Sequence, residues 1–323
     1  MPLRVLALLF ATASLSVAVS AATELPHPVF QKGFTLGGWS SEDYSRPELE
    51  AQLKELHAAG VEWVALTPRW FQETLSSQRI HPDQELSPTD ESLRRLIRLA
   101  RARGLRVLLK PQIDLLKGGW RGDVKSSSED DWARWFESYN AFISHYAKLA
   151  AESGVSLLSI GVELDATRHR TQDWRRIIST VRELYAGPLV YAANWGRERD
   201  IEWWDDLDYA GVDAYFPVAS HPDPSLAEVQ SGWAAHIDRL RAWAQRIEKP
   251  VIFTEIGYRS IAGAGSEPWE WERSGPASVS EQAVLYEAAM SSLWSEPWLC
   301  RFYWWQWRTS PPANPKSDAG FTP

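Results

Sequence analysis

Short apolar runs and longer amphipathic stretches alternate along most of the chain. The apolar runs are "GFTLGGW", "VEWVALTP", "LRVLLKPQ", "VSLLSIGVE", "PLVYAANW", "YAGVDAYFP", "PVIFTEIG" and "CRFYWWQW". Each is short enough to read as a buried strand. Between them, apolar residues recur at helical spacing in "RPELEAQLKELHAAG", "DESLRRLIRLARARG", "DWARWFESYNAFISHYAKLAAESG", "TQDWRRIISTVRELYAG", "SLAEVQSGWAAHIDRLRAWAQRIEKP" and "SVSEQAVLYEAAMSSLWSEP". Several of these close on a glycine just before the next strand, as a helix C-terminus should. The link between the fifth and sixth strands, "GRERDIEWWDDLD", is too short for a full helix.

Eight strands alternating with helices predict an α/β fold, a (β/α)₈ TIM barrel in a single domain. A doubly wound open sheet is the competing arrangement. It lacks its glycine-rich turn after the first strand, and Gly263 and Gly265 in "AGAGSEP" have neither the spacing nor the context of a dinucleotide site.

The first residues stand outside this alternation. "MPLR" is a short positive segment, "VLALLFATASLSVAV" an apolar one, and Val19-Ser20-Ala21 a small-residue cleavage site. This order predicts a signal peptide over residues 1–21, a mature barrel over 22–323, and a secreted or periplasmic protein. An uncleaved anchor is the runner-up, but the run is short and rich in Ala and Ser. No later segment is apolar enough to cross a bilayer, so no stable membrane insertion is expected after cleavage, and a monomer is expected.

Composition narrows the function. A net charge of −8 argues against nucleic acid and anionic membranes as partners. The apolar residues Leu93, Leu96, Ile97 and Leu99 or Ala100 recur at helical spacing, so the arginines of "RRLIRLARARGLR" read as the wet face of a helix. The single cysteine, Cys300, excludes an internal disulfide, and its setting in "WLCRFYWW" suggests a buried small residue. The histidines form no H-x-x-x-H pair, no EF-hand loop is present, and there is no G-x-S-x-G elbow; no metal and no cofactor are expected. Nineteen tryptophans are unusual. Beyond core packing, a tryptophan offers a flat apolar face suited to a sugar ring.

In such barrels the chemistry lies at the C-terminal ends of the strands. Those ends carry Trp39; Arg69, Trp70 and Gln72; Lys110, Gln112 and Asp114; Glu163 and Asp165; Asn194 and Trp195; Asp213 and Tyr215; Glu255 and Tyr258; and Trp304, Trp305 and Trp307. The rim is polar and aromatic, and it ends two apolar strands in glutamate. Strands four and seven face each other across a small barrel, so Glu163 and Glu255 could flank one bond. Glycoside hydrolysis needs two carboxyl groups so placed, one to donate a proton and one to attack or to activate water. The stripe Trp132, Trp135, Tyr139, Phe142, Ile143, Tyr146 has helical spacing and reads as core. Trp269 and Trp271, in a loop after strand seven, are candidates for stacking on sugar, and "RGD" at Arg121–Asp123 reads as an ordinary turn.

On "LKPQID", "SIGVEL", "YFP" after "GVDA", and "FTEIGYRS", spread over most of the mature chain, the sequence resembles the clan-A retaining glycoside hydrolases. Most closely it resembles glycoside hydrolase family 113, whose characterised activity is β-1,4-mannanase. The resemblance implies an O-glycoside hydrolase acting on a β-linked polysaccharide or oligosaccharide by double displacement. It makes Glu163 the acid/base, Glu255 the nucleophile and Tyr215 a residue supporting the nucleophile. The substrate would then meet Trp39, Trp70, Lys110, Asp114, Asn194, Trp195, Asp213, Tyr258, Trp304, Trp305 and Trp307. One departure is Val162, where clan members carry Asn, and family 113 often Thr, before the acid/base. Valine cannot reach a sugar 2-hydroxyl with a hydrogen bond, which leaves the exact sugar open. The resemblance also implies a few more residues after "DAGFTP". Two other functions fit the residues: action on another β-glycan (xylan or glucan), or a non-catalytic carbohydrate-binding barrel. The presence of both glutamates argues against the latter.

Overall fold

The computed structural model describes residues 31–309 and 319–322. The expected signal peptide, its cleavage site and the start of the mature chain lie outside the described residues. Eight strands run parallel and close on themselves: β1 (Gln31–Gly37), β2 (Trp63–Thr67), β3 (Arg106–Leu109), β4 (Leu157–Val162), β5 (Leu189–Asn194), β6 (Tyr209–Asp213), β7 (Val251–Ile256) and β8 (Leu299–Trp307). Each pairs with its sequence neighbour, and β8 returns to β1. The fold is the (β/α)₈ barrel, a single domain.

Among the described residues six α-helices fill the connections: α1 (Leu49–Ala58), α2 (Asp90–Ala102), α3 (Glu129–Ser153), α4 (Thr171–Leu184), α5 (Leu226–Ile247) and α6 (Val279–Leu293). Their starts follow from capping. Thr89, Ser128, Ser225 and Ser278 each accept a backbone N–H from the first turn, and Ser225 forms a full capping box with Glu228. The β5–β6 link holds only two 3₁₀ turns, Glu198–Asp200 and Trp204–Asp206.

The core has two layers. Trp63, Ala65, Leu108, Leu157, Val190, Ile252 and Tyr303 fill the barrel, while a larger shell lies between strands and helices. The α3 stripe belongs to that shell: Trp135, Tyr139, Phe142 and Tyr146 are buried, and the Tyr139 hydroxyl donates to the Ile160 carbonyl of β4 at 2.7 Å. Cys300 is buried, and burial pushes its thiol up to about 11.

Two elements differ from the sequence reading. The sixth strand stops at Asp213, so Tyr215 lies just past it. At the mouth, Arg69–Gln72 and Gln112–Leu115 form a separate two-stranded parallel sheet. Pro68 and Pro111 precede these segments. Neither can donate to a ladder, so the β2–β3 pairing breaks there and resumes beyond as a rim.

Gly161 sets how closely β4 meets its outer layer. A Cβ there would lie 2.8 Å from Tyr191 and 2.9 Å from both Trp174 and the Tyr139 hydroxyl. Gly161→Ala is therefore expected to destabilise the protein by about 1–3 kcal/mol through overpacking. A lowered urea midpoint would show this, and an unchanged midpoint would mean that the aromatic layer yields.

Candidate active site

Glu163 follows β4 directly, with φ of 52°, a left-handed backbone that is costly for a side chain with a Cβ. The neighbouring strand β5 holds it there: its N–H donates to the Ala192 carbonyl at 2.8 Å, and the N–H of Leu164 donates to the Tyr191 hydroxyl at 3.0 Å. Its Oε2 accepts from Arg121 at 3.2 Å and from the Trp120 indole at 3.4 Å. Burial raises its pKa above the usual carboxylate range; the Arg121 charge opposes this and the Glu255 charge adds to it.

Glu255 sits near the end of β7 and is held at both oxygens. Oε1 accepts from the Lys110 ammonium at 2.6 Å and, more weakly, from Gln112 at 3.5 Å; Oε2 accepts from the Tyr215 hydroxyl at 2.7 Å. Lys110, fully buried, also donates to Asp213 Oδ1 at 2.8 Å, and the same oxygen takes the Thr254 hydroxyl at 2.7 Å. Burial alone would lower the lysine's pKa, but Asp213 and Glu255 together hold it above its ordinary value, so Lys110 is a cation. Burial pushes Asp213 well above the usual range, the Glu255 charge adds to this, and Lys110 opposes it. The Tyr215 phenol is likewise raised by burial and then by Glu255, and it serves as a donor.

Around this centre the mouth is aromatic and polar. Trp39 is 41% exposed, packs edge-on against Trp305 at 5.7 Å, and lies under the Arg69 guanidinium at 4.5 Å. Asp114 pairs with Arg69 at 3.0 Å and lies 3.7 Å from Arg121. Asn194 donates to Asp165 at 3.3 Å, and burial raises Asp165 to about 6. Trp195 stacks on Trp269 with centroids 4.8 Å apart, while Trp271 is 68% exposed.

Four expected substrate residues lie elsewhere. Trp70 packs on Phe142, His145 and Tyr146 of α3; Tyr258 is buried beside Tyr286 of α6; Trp304 stacks on that same Tyr286 at 4.1 Å; and Trp307 meets Phe34 edge-on at 5.8 Å. Side chains alternate across a strand. Where Arg69 and Trp305 turn to the mouth, Trp70 and Trp304 must turn to the helices. Conversely, Arg121 reaches Glu163 from the tripeptide read as an ordinary turn. Its signal was its location: it follows β3, on the same end of the barrel as both glutamates.

A carboxyl that burial pushes toward its protonated form and a second carboxylate held by an ammonium, opening on an aromatic mouth, can cleave a glycosidic bond. Among the described residues no group of three or more His, Cys, Asp or Glu side chains could hold a metal ion, and no helix is long and apolar enough to cross a membrane. The comparisons give the same class, an O-glycoside hydrolase. The chain belongs to Glycoside Hydrolase Family 113, whose model matches residues 34–322. The family 113 β-mannanase AaManA from Alicyclobacillus acidocaldarius, in complex with ManMIm, has a TM-score of 0.83 and 29% identity, over 90% of this chain and 92% of that one. A complex structure of a family 113 β-1,4-mannanase gives 0.83 and 26% identity, over 91% and 94%. A family 5 mannosidase from Rhizomucor miehei shares the fold, with a TM-score of 0.65 at 12% identity, over 92% and 86%. No curated protein sequence matches the chain significantly.

The Lys110 cluster has a measurable consequence. Lys110→Met leaves two buried carboxyl groups without their shared cation and is expected to cost about 3–5 kcal/mol. Adding Asp213→Asn should restore much of that loss, so a double-mutant cycle followed by urea denaturation should be strongly non-additive. Additive costs would show that the two residues are not coupled.

Proposed function

We propose that this enzyme hydrolyses β-1,4-mannan with retention of anomeric configuration, Glu163 serving as acid/base and Glu255 as nucleophile. The observation that carries the reading is the unequal treatment of the two carboxyl groups. Glu255 receives an ammonium and a phenol, which suits an oriented attacking anion. Glu163 sits where burial favours its protonated form. In the first step Glu163 gives its proton to the leaving oxygen as Glu255 bonds to the anomeric carbon. In the second, water attacks that carbon, Glu163 takes the water's proton, and the ester to Glu255 breaks. Tyr215 supports the nucleophile, and Trp39, Trp305, Trp195 and Trp269 offer faces to the sugars.

Mannan is favoured as substrate by the two β-mannanases that match nine-tenths of this chain. A different β-glycan is the second reading. Val162, before the acid/base, is buried at 2% exposure and offers no hydrogen bond to a 2-hydroxyl. A panel of mannan, xylan and glucan oligosaccharides separates the two readings by rate.

The mechanism predicts that Glu255→Gln abolishes turnover of every substrate. Glu163→Gln should spare the first step for aryl glycosides whose leaving group needs no proton. The first product, followed by NMR, should keep the β configuration; inversion would overturn the assignment.

We also propose that the enzyme is exported. The support is the charged, apolar, small-residue order of its first segment. Mass spectrometry of the mature protein should find an amino terminus near Ala22, and an intact Met1 on cytosolic protein would exclude export by this route.

A further inference from the structure

Two groups meet at Glu163 that the two-carboxylate scheme does not itself require. Arg121 and Trp120 both donate to Oε2, at 3.2 and 3.4 Å, and no described residue donates to Oε1. Behind them, Asp114 faces Arg121 at 3.7 Å.

The approach is built rather than accidental. Arg121 Nε donates to the Ile113 carbonyl at 2.9 Å, which ties the side chain to the rim strand Gln112–Leu115. Asp114 on that strand is held by Arg69, itself fastened to the carbonyls of Gly38 and Trp39 at 3.1 and 2.8 Å. Trp120 lies across its own loop: a Cβ on Gly122 would come within 2.2 Å of the indole. Only glycine there lets the ring lie close to the backbone while its N–H turns to Glu163.

We propose that Arg121, assisted by Trp120, is the positioning residue of the acid/base, occupying Oε2 so that Oε1 alone carries the catalytic proton. This rests on the acid/base reading of Glu163 given above. An oxygen that accepts two N–H groups has little capacity left to bear a proton toward substrate, whereas Oε1 is free to do so. The same contacts matter more after the first step. Glu163 is then an anion waiting to take a proton from water, and the guanidinium stabilises that state by a charge-assisted bond. Arg121 thus acts on the second half of the reaction without touching substrate.

The charged and titratable groups facing Glu163 are Arg121 from the loop, Lys110 after β3, Tyr191 on β5, Asp213 and Tyr215 at and past the end of β6, and Glu255 on β7. Of these, Arg121 exerts the largest lowering influence on the Glu163 carboxyl. Its loss must therefore raise the pKa at which Glu163 titrates.

The test is a pH titration of the full chain carrying ¹³C-carboxyl glutamate, comparing wild type with Arg121→Gln, Arg121→Lys and Trp120→Phe. Glu163 should titrate at higher pH in Arg121→Gln, near the wild-type value in Arg121→Lys, and slightly higher in Trp120→Phe. With an activated aryl glycoside, kcat for Arg121→Gln should fall about tenfold or more on the acidic side, the scale of losing part of a general-base step. Its kcat/KM should change little, because that leaving group needs no proton. An equal loss in both constants, with one titration curve shared by all four proteins, would reduce Arg121 to a loop anchor and overturn the proposal. The titration is read without substrate. Absence of turnover by the wild type would therefore defeat the catalytic reading while the Arg121–Glu163 contact was still decided.

Discussion

The mouth of this barrel depends on one buried cation. Lys110 has no exposed surface, and removing an ammonium from water costs several kcal/mol that only close, well-aligned anions can offset. Glu255 and Asp213 bring carboxyl oxygens to within 2.6 and 2.8 Å of it. The three residues come from the ends of β3, β6 and β7, so the requirement to pair one charge joins three strands at the point where the chemistry occurs. It also leaves Glu255 little freedom, because turning away would strand the lysine. Stability and the orientation of Glu255 have a common physical source.

That constraint makes the two glutamates unlike each other. Glu255 has donors on both oxygens, whereas Glu163 has both of its donors on one. The first arrangement suits a carboxylate that must be fixed in place as an anion. The second suits a group that alternates between acid and base and needs one oxygen kept free. Burial, and next the charge of Glu255, raise the pKa of Glu163, and the Arg121 charge opposes that rise.

The barrel itself was legible because its signals are local and repeated. Eight short apolar runs, amphipathic segments between them and serine or threonine caps specify the elements without reference to distant contacts. Both glutamates could be found for the same reason, since each ends an apolar run that has no use for a charge. Orientation was harder to read. "YWWQW" offers three tryptophans at one strand end, and only the alternation of side chains decides that Trp304 packs on Tyr286 while Trp305 meets Trp39. A list of strand-end residues includes both faces, and so it mixes Trp70 and Trp304 with the residues of the mouth.

Arg121 was hidden by a different cause. Its role arises from the rim sheet, and the rim sheet arises from two prolines that interrupt the β2–β3 ladder at matching positions. Pro68 and Pro111 end the barrel pairing, Arg69 and Gln112 resume it in the same register, and Phe71 falls opposite Asp114. From that small sheet Arg69 and Asp114 support Trp39 on one side and face Arg121 on the other. Nothing in "WRGD" alone shows this, because the contact depends on pairing between segments about forty residues apart, as the Arg69–Asp114 bond illustrates at a separation of 45. A break in regular structure, normally a cost, here provides a second platform beside the two glutamates. The barrel supplies the two glutamates, while the sheet beyond its edge anchors the arginine that faces Glu163.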